Sequence, residues 1–465
     1  MNKVISPETI KYIKSCLSFQ YDGSGIPGYS VAISHNGKLI LNEAYGFSDL
    51  EKNKKLTSGN IFSVASHSKT FTATVIMQLV EEGKLRLDDK LSDYLVWLKD
   101  HKDKRFLQIT IRQVMSHGSG MIRNGLDASF WGLDRAFPDR DEAKKATLEA
   151  GLAIDNNIRM KYSNWGYALL GLLIEEITNK PYNDVVTEKI IKPLGLENTY
   201  PDYLSELKDK MAVGYSRKQF GSKRLPIDNI ATNSMSPATG FCSTAADLCR
   251  YFSAHMIGSN ELLNDESKKE MQKGDWKTVG DGSDSSYGLG MTIGHVRNHK
   301  IVGHGGGFPG YMTDSLFDEK NKLVVVVLTN CIGAYPFRIS RGIFNAIDHL
   351  EGSKFDEVAH KKLSKFTGRF ADLWGATDIV FCCNRLVATH PYNWVPFSGA
   401  YDLSYVDENT LRIDSIGSYG NGGENLKFVF DGNQIKSVCV AGQIMLPIKD
   451  WEQKQKSRDI VTLPK

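Results

Sequence analysis

Residues 62–80 read FSVASHSKTFTATVIMQLV, and this stretch decides the fold. From Thr70 to Glu82 the chain is apolar on all sides, too much so for a helix lying on a surface, and Gly83 follows as a C-cap. The spacing predicts a buried helix. Ser66 and Lys69 stand three apart where it begins, and positions i and i+3 share a helix face, so hydroxyl and amine can meet. A serine is a poor nucleophile until a base takes its proton, and a lysine kept neutral by desolvation or a nearby cation can be that base. The helix start also presents free backbone N–H groups beside Ser66, ready donors for an oxyanion.

Ser-x-x-Lys alone is a weak signal, since it recurs as Ser205 and Lys208 in the polar run YLSELKDK, where a solvated surface is the better reading. Two further motifs give Ser66 its company. Tyr162-Ser163-Asn164 lies between a polar run and a helix start, and His304-Gly305-Gly306-Gly307 lies where a strand meets a glycine cluster. Each has a decoy, Tyr419-Gly420-Asn421 and His35-Asn36-Gly37. Only the first copies keep the order Ser-x-x-Lys, Tyr-x-Asn, His-x-Gly at element boundaries that can face a cleft.

Before this core, PGYSVAISHNGKLILNEAY (27–45) places two β-prone runs around Asn36–Gly37, the strongest short hairpin signal, and the fold is expected to open with it. About residues 88–255 the pattern is mainly helical, in TLEAGLAI, YALLGLLIEEITN and NDVVTEKIIKPLG. Short β-prone runs return from Ser286 to Asn330, and a helix is expected from Phe337 to Leu350. Strands at both ends with helices between predict an α+β class: an α/β lobe with an antiparallel sheet and an inserted all-helical lobe. Past the charged stretch Glu351–Lys365, alternating runs such as LKFVFDGNQ and IKSVCVAG predict an all-β domain. The expected division is 1–352 and 366–465.

Composition narrows the partners. The 465 residues are 41% hydrophobic and 24% charged, an ordinary globular mix. With 57 Lys and Arg against 54 Asp and Glu the net charge is +3, little for a surface that holds many phosphates, so nucleic acid is not an expected partner. Seven scattered cysteines make no disulfide framework and no Cys-x-x-Cys pair, and His-Glu-x-x-His is absent, so no metal or other cofactor is expected. Cys382-Cys383, in a β-prone run, reads as core. No apolar run is long enough for a signal or a membrane span, which points to the cytoplasm and to no membrane partner.

With these motifs in place the chain resembles the serine β-lactamase and penicillin-binding-protein superfamily, in its class C-like branch with the D-aminopeptidases and family VIII carboxylesterases. The resemblance extends over PGYSVAISHNGKLILNEAYGFSDLE, the Tyr162 block, LPIDNIATNSMSPATGFCSTAADLCRYF, GHGGGFPGY and VVVVLTN, from about Gly25 to Asn330. The last 100 residues are similar to the lipocalin-like β-barrel appended in some members. The resemblance implies that Ser66 is acylated while Lys69 and Tyr162 share general-base and proton-shuttle work. It implies that Asn164 hydrogen-bonds Lys69 and the substrate's amide carbonyl. The N–H groups of Ser66 and Gly307 would form the oxyanion hole, where losing one donor costs about 10² to 10³ in rate, and Gly306 would let the strand approach closely.

One departure matters. Class C β-lactamases carry Lys-Thr-Gly where this chain has His304-Gly305-Gly306. Histidine can be neutral at working pH and still hydrogen-bond Tyr162, and this form resembles D-aminopeptidases and esterases more than true β-lactamases. His67 is expected to face away from the site, and His117 in MSHGSGM to be structural. The Gly-x-Ser-x-Gly elbow of α/β-hydrolases is absent. The expected function is a serine hydrolase of small amides or peptides, D-aminopeptidase- or carboxypeptidase-like. A carboxylesterase or weak β-lactamase, an acyltransferase, and a catalytically silent binding or assembly protein are the alternatives, and homo-oligomerisation stays open.

Overall fold

Asn36 and Gly37 both adopt left-handed φ, 52° and 73°, the geometry a tight two-residue hairpin turn requires and Asn-Gly tolerates best. They join β1 (Gly28–His35) to β2 (Lys38–Asp49). Four later strands, β3 (Thr292–Val296), β4 (His299–Phe308), β5 (Tyr311–Asp318) and β6 (Leu323–Thr329), complete the centre of the sheet. The computed structural model describes residues 5–218, 223–278, 284–351, 356–382, 384–414 and 420–456.

All neighbours in the nine-stranded sheet are antiparallel, in the order Lys54–Lys55, β2, β1, β6, β5, β4, β3, Ser286–Tyr287, Trp276–Lys277. The first hairpin therefore zips onto a strand some 300 residues later, from Tyr29 opposite Thr329 to His35 opposite Leu323. Every residue of β1 and β6 is buried. Such strands are covered on both faces, which is why LVVVVLT lacks an alternating pattern.

The chain forms two compact units, one of Ile26–Ser340, the other joining the residues up to Gly25 to those from Arg341 onward. A helix, α1 (Pro7–Ser24), precedes the hairpin, so the hairpin does not open the fold. Local chemistry sets its ends: Ser6 caps Thr9 N–H, Pro7 takes the first turn, and Gly25 ends the helix at φ 64°. In the first unit α2 (Ser68–Glu81) buries eleven of its fourteen residues, with Phe71 stacked on Phe241 and Tyr251. Beside it runs α3 (Asn164–Thr178), and α4 (Ala245–Ala254) packs on β1 and β6.

One expected element is corrected. TLEAGLAI is not one helix: Arg140–Glu149 ends there, and Leu152 N–H turns to the Asp103 carboxylate at 3.1 Å. The segment 286–296 forms two short strands on either side of Gly288–Met291, where Gly290 takes φ 77°. In the second unit, where α5 (Pro336–Leu350) ends, eight antiparallel strands between Gly368 and Pro447 close the expected β-barrel, and the chain then adds a helix, α6 (Ile448–Lys456). Phe366, Phe370 and Phe428 fill the barrel, and Arg369 binds Asp378 in bidentate fashion at 2.7 and 2.9 Å. Cys382 is buried core as expected; Cys383 and the decoy Tyr419 lie outside the described residues. No helix among the described residues is long and apolar enough to cross a membrane.

Candidate active site

Ser66 sits in a single 3-10 turn, Ala65–His67, that leads straight into α2. The turn is held in an uncommon conformation: Ala65 has φ 52°, a region an L-residue occupies at a cost of about 1–3 kcal/mol. Local bonds hold it there. Ser68 Oγ donates to the Ala65 carbonyl at 2.6 Å and accepts the Phe241 N–H at 3.0 Å. On the sheet side, β4 pairs with β3 only as far as Gly303, so its Gly306 stretch is free on that edge to lie against the nucleophile turn. A side chain at Gly306 would overlap the Val64 carbonyl and the Thr313 hydroxyl.

Three expected residues meet at one oxygen. Lys69 Nζ lies 3.1 Å from Ser66 Oγ, and Tyr162 OH donates to the same oxygen at 2.9 Å. Lys69 is fully buried, and its other bond is to the Ala238 carbonyl at 2.7 Å, so none of its partners among the described residues is a carboxylate. Burial, and secondarily the charge of Arg123, hold its pKa well below the ordinary lysine range. Burial pushes Tyr162 up to about 12, against the pull of its Ser66 bond and of Arg123, whose guanidinium lies 5.4 Å over the ring. The Ser66 N–H finds no acceptor among the described residues, and Gly307 is exposed on the neighbouring strand.

Two expected contacts are corrected. Asn164 does not bond Lys69: its Nδ2 donates to Asn124 Oδ1 at 2.8 Å and its buried Oδ1 has no partner among the described residues. Lys69 instead reaches the turn at Ala238, which the tertiary packing of Ser236–Thr239 on α2 puts closer. His304 does not bond Tyr162 either. Its Nε2 accepts from Tyr287 OH at 3.0 Å, while Nδ1–H donates to the Gly305 carbonyl at 2.6 Å. Burial, with Lys69 and His67 nearby, lowers its pKa to about 3, so the ring is neutral.

His67 faces away from the nucleophile, as expected, bonding the Val64 carbonyl and Ser315 Oγ at 2.8 and 2.7 Å. His117 accepts the Ser163 N–H at 3.2 Å and packs its ring 4.2 Å from that of Tyr162, bracing the turn that presents the phenol. The decoy pair Ser205 and Lys208 is exposed, and His35 and Asn36 belong to the first hairpin. Sequence reasoning missed Asn124, Tyr287 and Arg123. None belongs to a spaced motif, and only folding brings them to Asn164, His304 and Tyr162.

Beside Gly307 opens a cavity of about 530 Å³ whose wall is mostly apolar, with Trp131, Leu133, Ile227, Phe308 and Ile332. Arg217 is the only charged side chain in that lining, and it has no ion-pair partner among the described residues. A deprotonable amine and a phenol on one serine, two candidate oxyanion donors and an adjoining cavity can support acyl transfer.

A family model described as Beta-lactamase matches residues 15–346. Protein flp of Staphylococcus aureus (strain N315) is 24% identical over 365 residues, covering 78% of this chain and 70% of that protein. An octameric penicillin-binding protein homologue from Pyrococcus abyssi shares the fold with a TM-score of 0.66 at 20% identity, over 94% of this chain and 99% of that one. A D-amino acid amidase from Ochrobactrum anthropi SV3 does so with a TM-score of 0.63 at 21% identity, over 73% and 99%.

Proposed function

The chain belongs to the Beta-lactamase family and is a serine hydrolase, and on that premise we propose that it works through an acyl-enzyme at Ser66 on small amide or peptide substrates. The observation that carries the reading is the position of Ser66 Oγ between Lys69 Nζ and Tyr162 OH, with the two pKa values moved in opposite directions. A base must be deprotonated near working pH, and only the lysine is shifted that way. Lys69 therefore takes the Ser66 proton as Oγ attacks the acyl carbonyl. The oxyanion forms against the N–H groups of Ser66 and Gly307. Tyr162 hands its proton to the leaving amine and recovers one from Lys69. Water then attacks the ester carbonyl, its proton returning through the same pair to Ser66 as the acid leaves.

Asn164 serves as the amide-binding residue of the cleft, held in place by Asn124. Arg123 and Arg217 flank the site, which suits a substrate carrying an anionic group better than one with a free ammonium, and so favours the carboxypeptidase-like over the aminopeptidase-like form. The amidase named among the structural neighbours supports an amide substrate. The mostly apolar cavity beside Gly307 favours a second reading, a carboxylesterase acting on short acyl esters. The octameric neighbour supports self-assembly as a further part of the proposal.

The test is intact mass after incubation with a fluorophosphonate probe and with a penicillin, alongside Ser66→Ala. One adduct on the parent protein and none on the variant is expected. Equal labelling of the two would remove Ser66 from its role. A panel of p-nitrophenyl esters against D- and L-aminoacyl p-nitroanilides then separates esterase from peptidase.

A further inference from the structure

The second unit holds a cavity with a lining unlike that of the catalytic site. Its volume is about 550 Å³, within the range of small-molecule sites. Trp374, Trp394, Trp451 and Tyr392 line it, together with Asp22 and Asp372. No lysine or arginine is among its lining residues, and neither aspartate has an ion-pair partner among the described residues. Asp372 Oδ1 accepts the N–H groups of Trp374 and Gly375 at 2.7 and 3.2 Å, leaving its second oxygen for a ligand.

The turn that carries Trp374 is unusual in its residues. Ala371 pairs with Ala376 and Asp372 with Gly375, so Leu373 and Trp374 form the whole hairpin loop. Asn, Asp and Gly dominate such loops because of the turn geometry. Here two large apolar side chains occupy them, 67% and 85% exposed. A tryptophan left this open at a cavity rim contributes nothing to the barrel core and is available to a ligand. The opposite wall is fixed: Gln20 Nε2 donates to the Pro391 and Asn393 carbonyls at 3.2 and 2.8 Å, tying the Trp394 segment to α1.

Several electron-rich ring faces with carboxylates and no competing cation make an environment for a positive charge that itself needs few hydrogen bonds. A sugar would require a denser set of directed donors and acceptors, and here the Gln20 amide nitrogen and one Asp372 oxygen are already engaged. We propose that this cavity binds a quaternary or fully alkylated ammonium group, with the indole and phenol rings against the cation and Asp22 and Asp372 as counter-charge.

The experiment titrates the full chain with choline, reading tryptophan fluorescence and heat, and repeats the titration with 3,3-dimethylbutan-1-ol, its neutral isostere. Saturable binding of choline is expected, with the isostere at least about tenfold weaker, since the shape is shared and only the charge is lost. Trp374→Ala and Asp22→Asn, both at accessible positions, should each weaken choline about tenfold while Ser66 labelling by fluorophosphonate stays as in the parent protein. Absence of saturable binding, equal binding of the isostere, or tighter binding of maltose would overturn the proposal. So would a Trp374→Ala variant that binds choline normally but loses oligomeric mass, which would make the face a contact between copies.

Discussion

Gly306 and Val64 approach so closely that no side chain fits between strand β4 and the turn holding Ser66: a Cβ on Gly306 would overlap the Val64 carbonyl oxygen and stand 3.2 Å from Ala65 Cβ. The strand and the nucleophile turn are thereby fixed relative to each other. Gly306→Ala must push them apart. The expected cost is about 1–3 kcal/mol of stability from overpacking. The larger effect is on acylation, where a displacement of about 1 Å costs on the order of 10²-fold. Fluorophosphonate labelling at the parent rate would show that this contact does not set the site.

Restoring the lysine of class C β-lactamases at position 304 is expected to damage the protein. His304 is 5% exposed, bonded to Tyr287 and near Lys69. No carboxylate among its partners could balance an ammonium there. His304→Lys should lower stability by roughly 3 kcal/mol, the scale of an uncompensated buried charge, without creating penicillin hydrolysis. Thermal unfolding and a penicillin assay decide it. A stable variant that hydrolyses penicillin would reverse the account of this residue.

The rate should carry an acid limb set by Lys69. The base works when neutral, so activity falls as pH drops through its lowered pKa. Arg123 helps depress that pKa. Arg123→Gln removes a cation, raises the pKa and shifts the limb of kcat/KM to higher pH. A pH profile with p-nitrophenyl acetate reads it, and a limb that stays in place would show that Arg123 does not act on the base.

Acid should also unfold the protein through histidines buried neutral. His67 is lowered to about 4 and His255 and His304 to about 3, chiefly by burial. Between those values and about 6.5 the unfolded chain binds more protons, so stability is lost as pH falls from about 6.5 toward 3. Each pH unit in that window costs about 1.4 kcal/mol per ring. Urea midpoints at pH 7 and 4.5 measure the slope, and His255→Gln, at a position outside the site, should flatten it.

Arg369 and Asp378 form a buried charged pair in the barrel unit, with the Asp378 side chain 3% exposed. Asp378→Asn removes one of the two bonds to Asp378 and the counter-charge, leaving the guanidinium the amide oxygen and the Ser15 carbonyl. About 3 kcal/mol of stability should be lost, measured by chemical denaturation. An unchanged midpoint would mean that water replaces the carboxylate.

Spaced motifs and hydrophobic patterns made much of the architecture legible. The Asn36–Gly37 hairpin, the all-round apolar α2, the Ser66–Lys69 spacing and the alternating strands of the barrel follow from local chemistry, because turn geometry and period act over a few residues. Helices α1 and α6 were missed because their polar residues outweigh a narrow apolar stripe. Which partner each site residue takes was not legible. The pairings Lys69–Ala238, Asn164–Asn124 and His304–Tyr287 join residues 169, 40 and 17 positions apart, chosen by how helices and strands pack.

The sequence by itself determined the family, the order of its three motifs and the serine that stands at their centre, because those are properties of residue type and spacing. Only the tertiary structure decided that Lys69 is buried with no carboxylate partner among the described residues, that Ala65 is held at positive φ, and that His304 is neutral. Burial, strain and pKa depend on what the rest of the chain brings within a few ångströms, and that is set by packing across hundreds of residues.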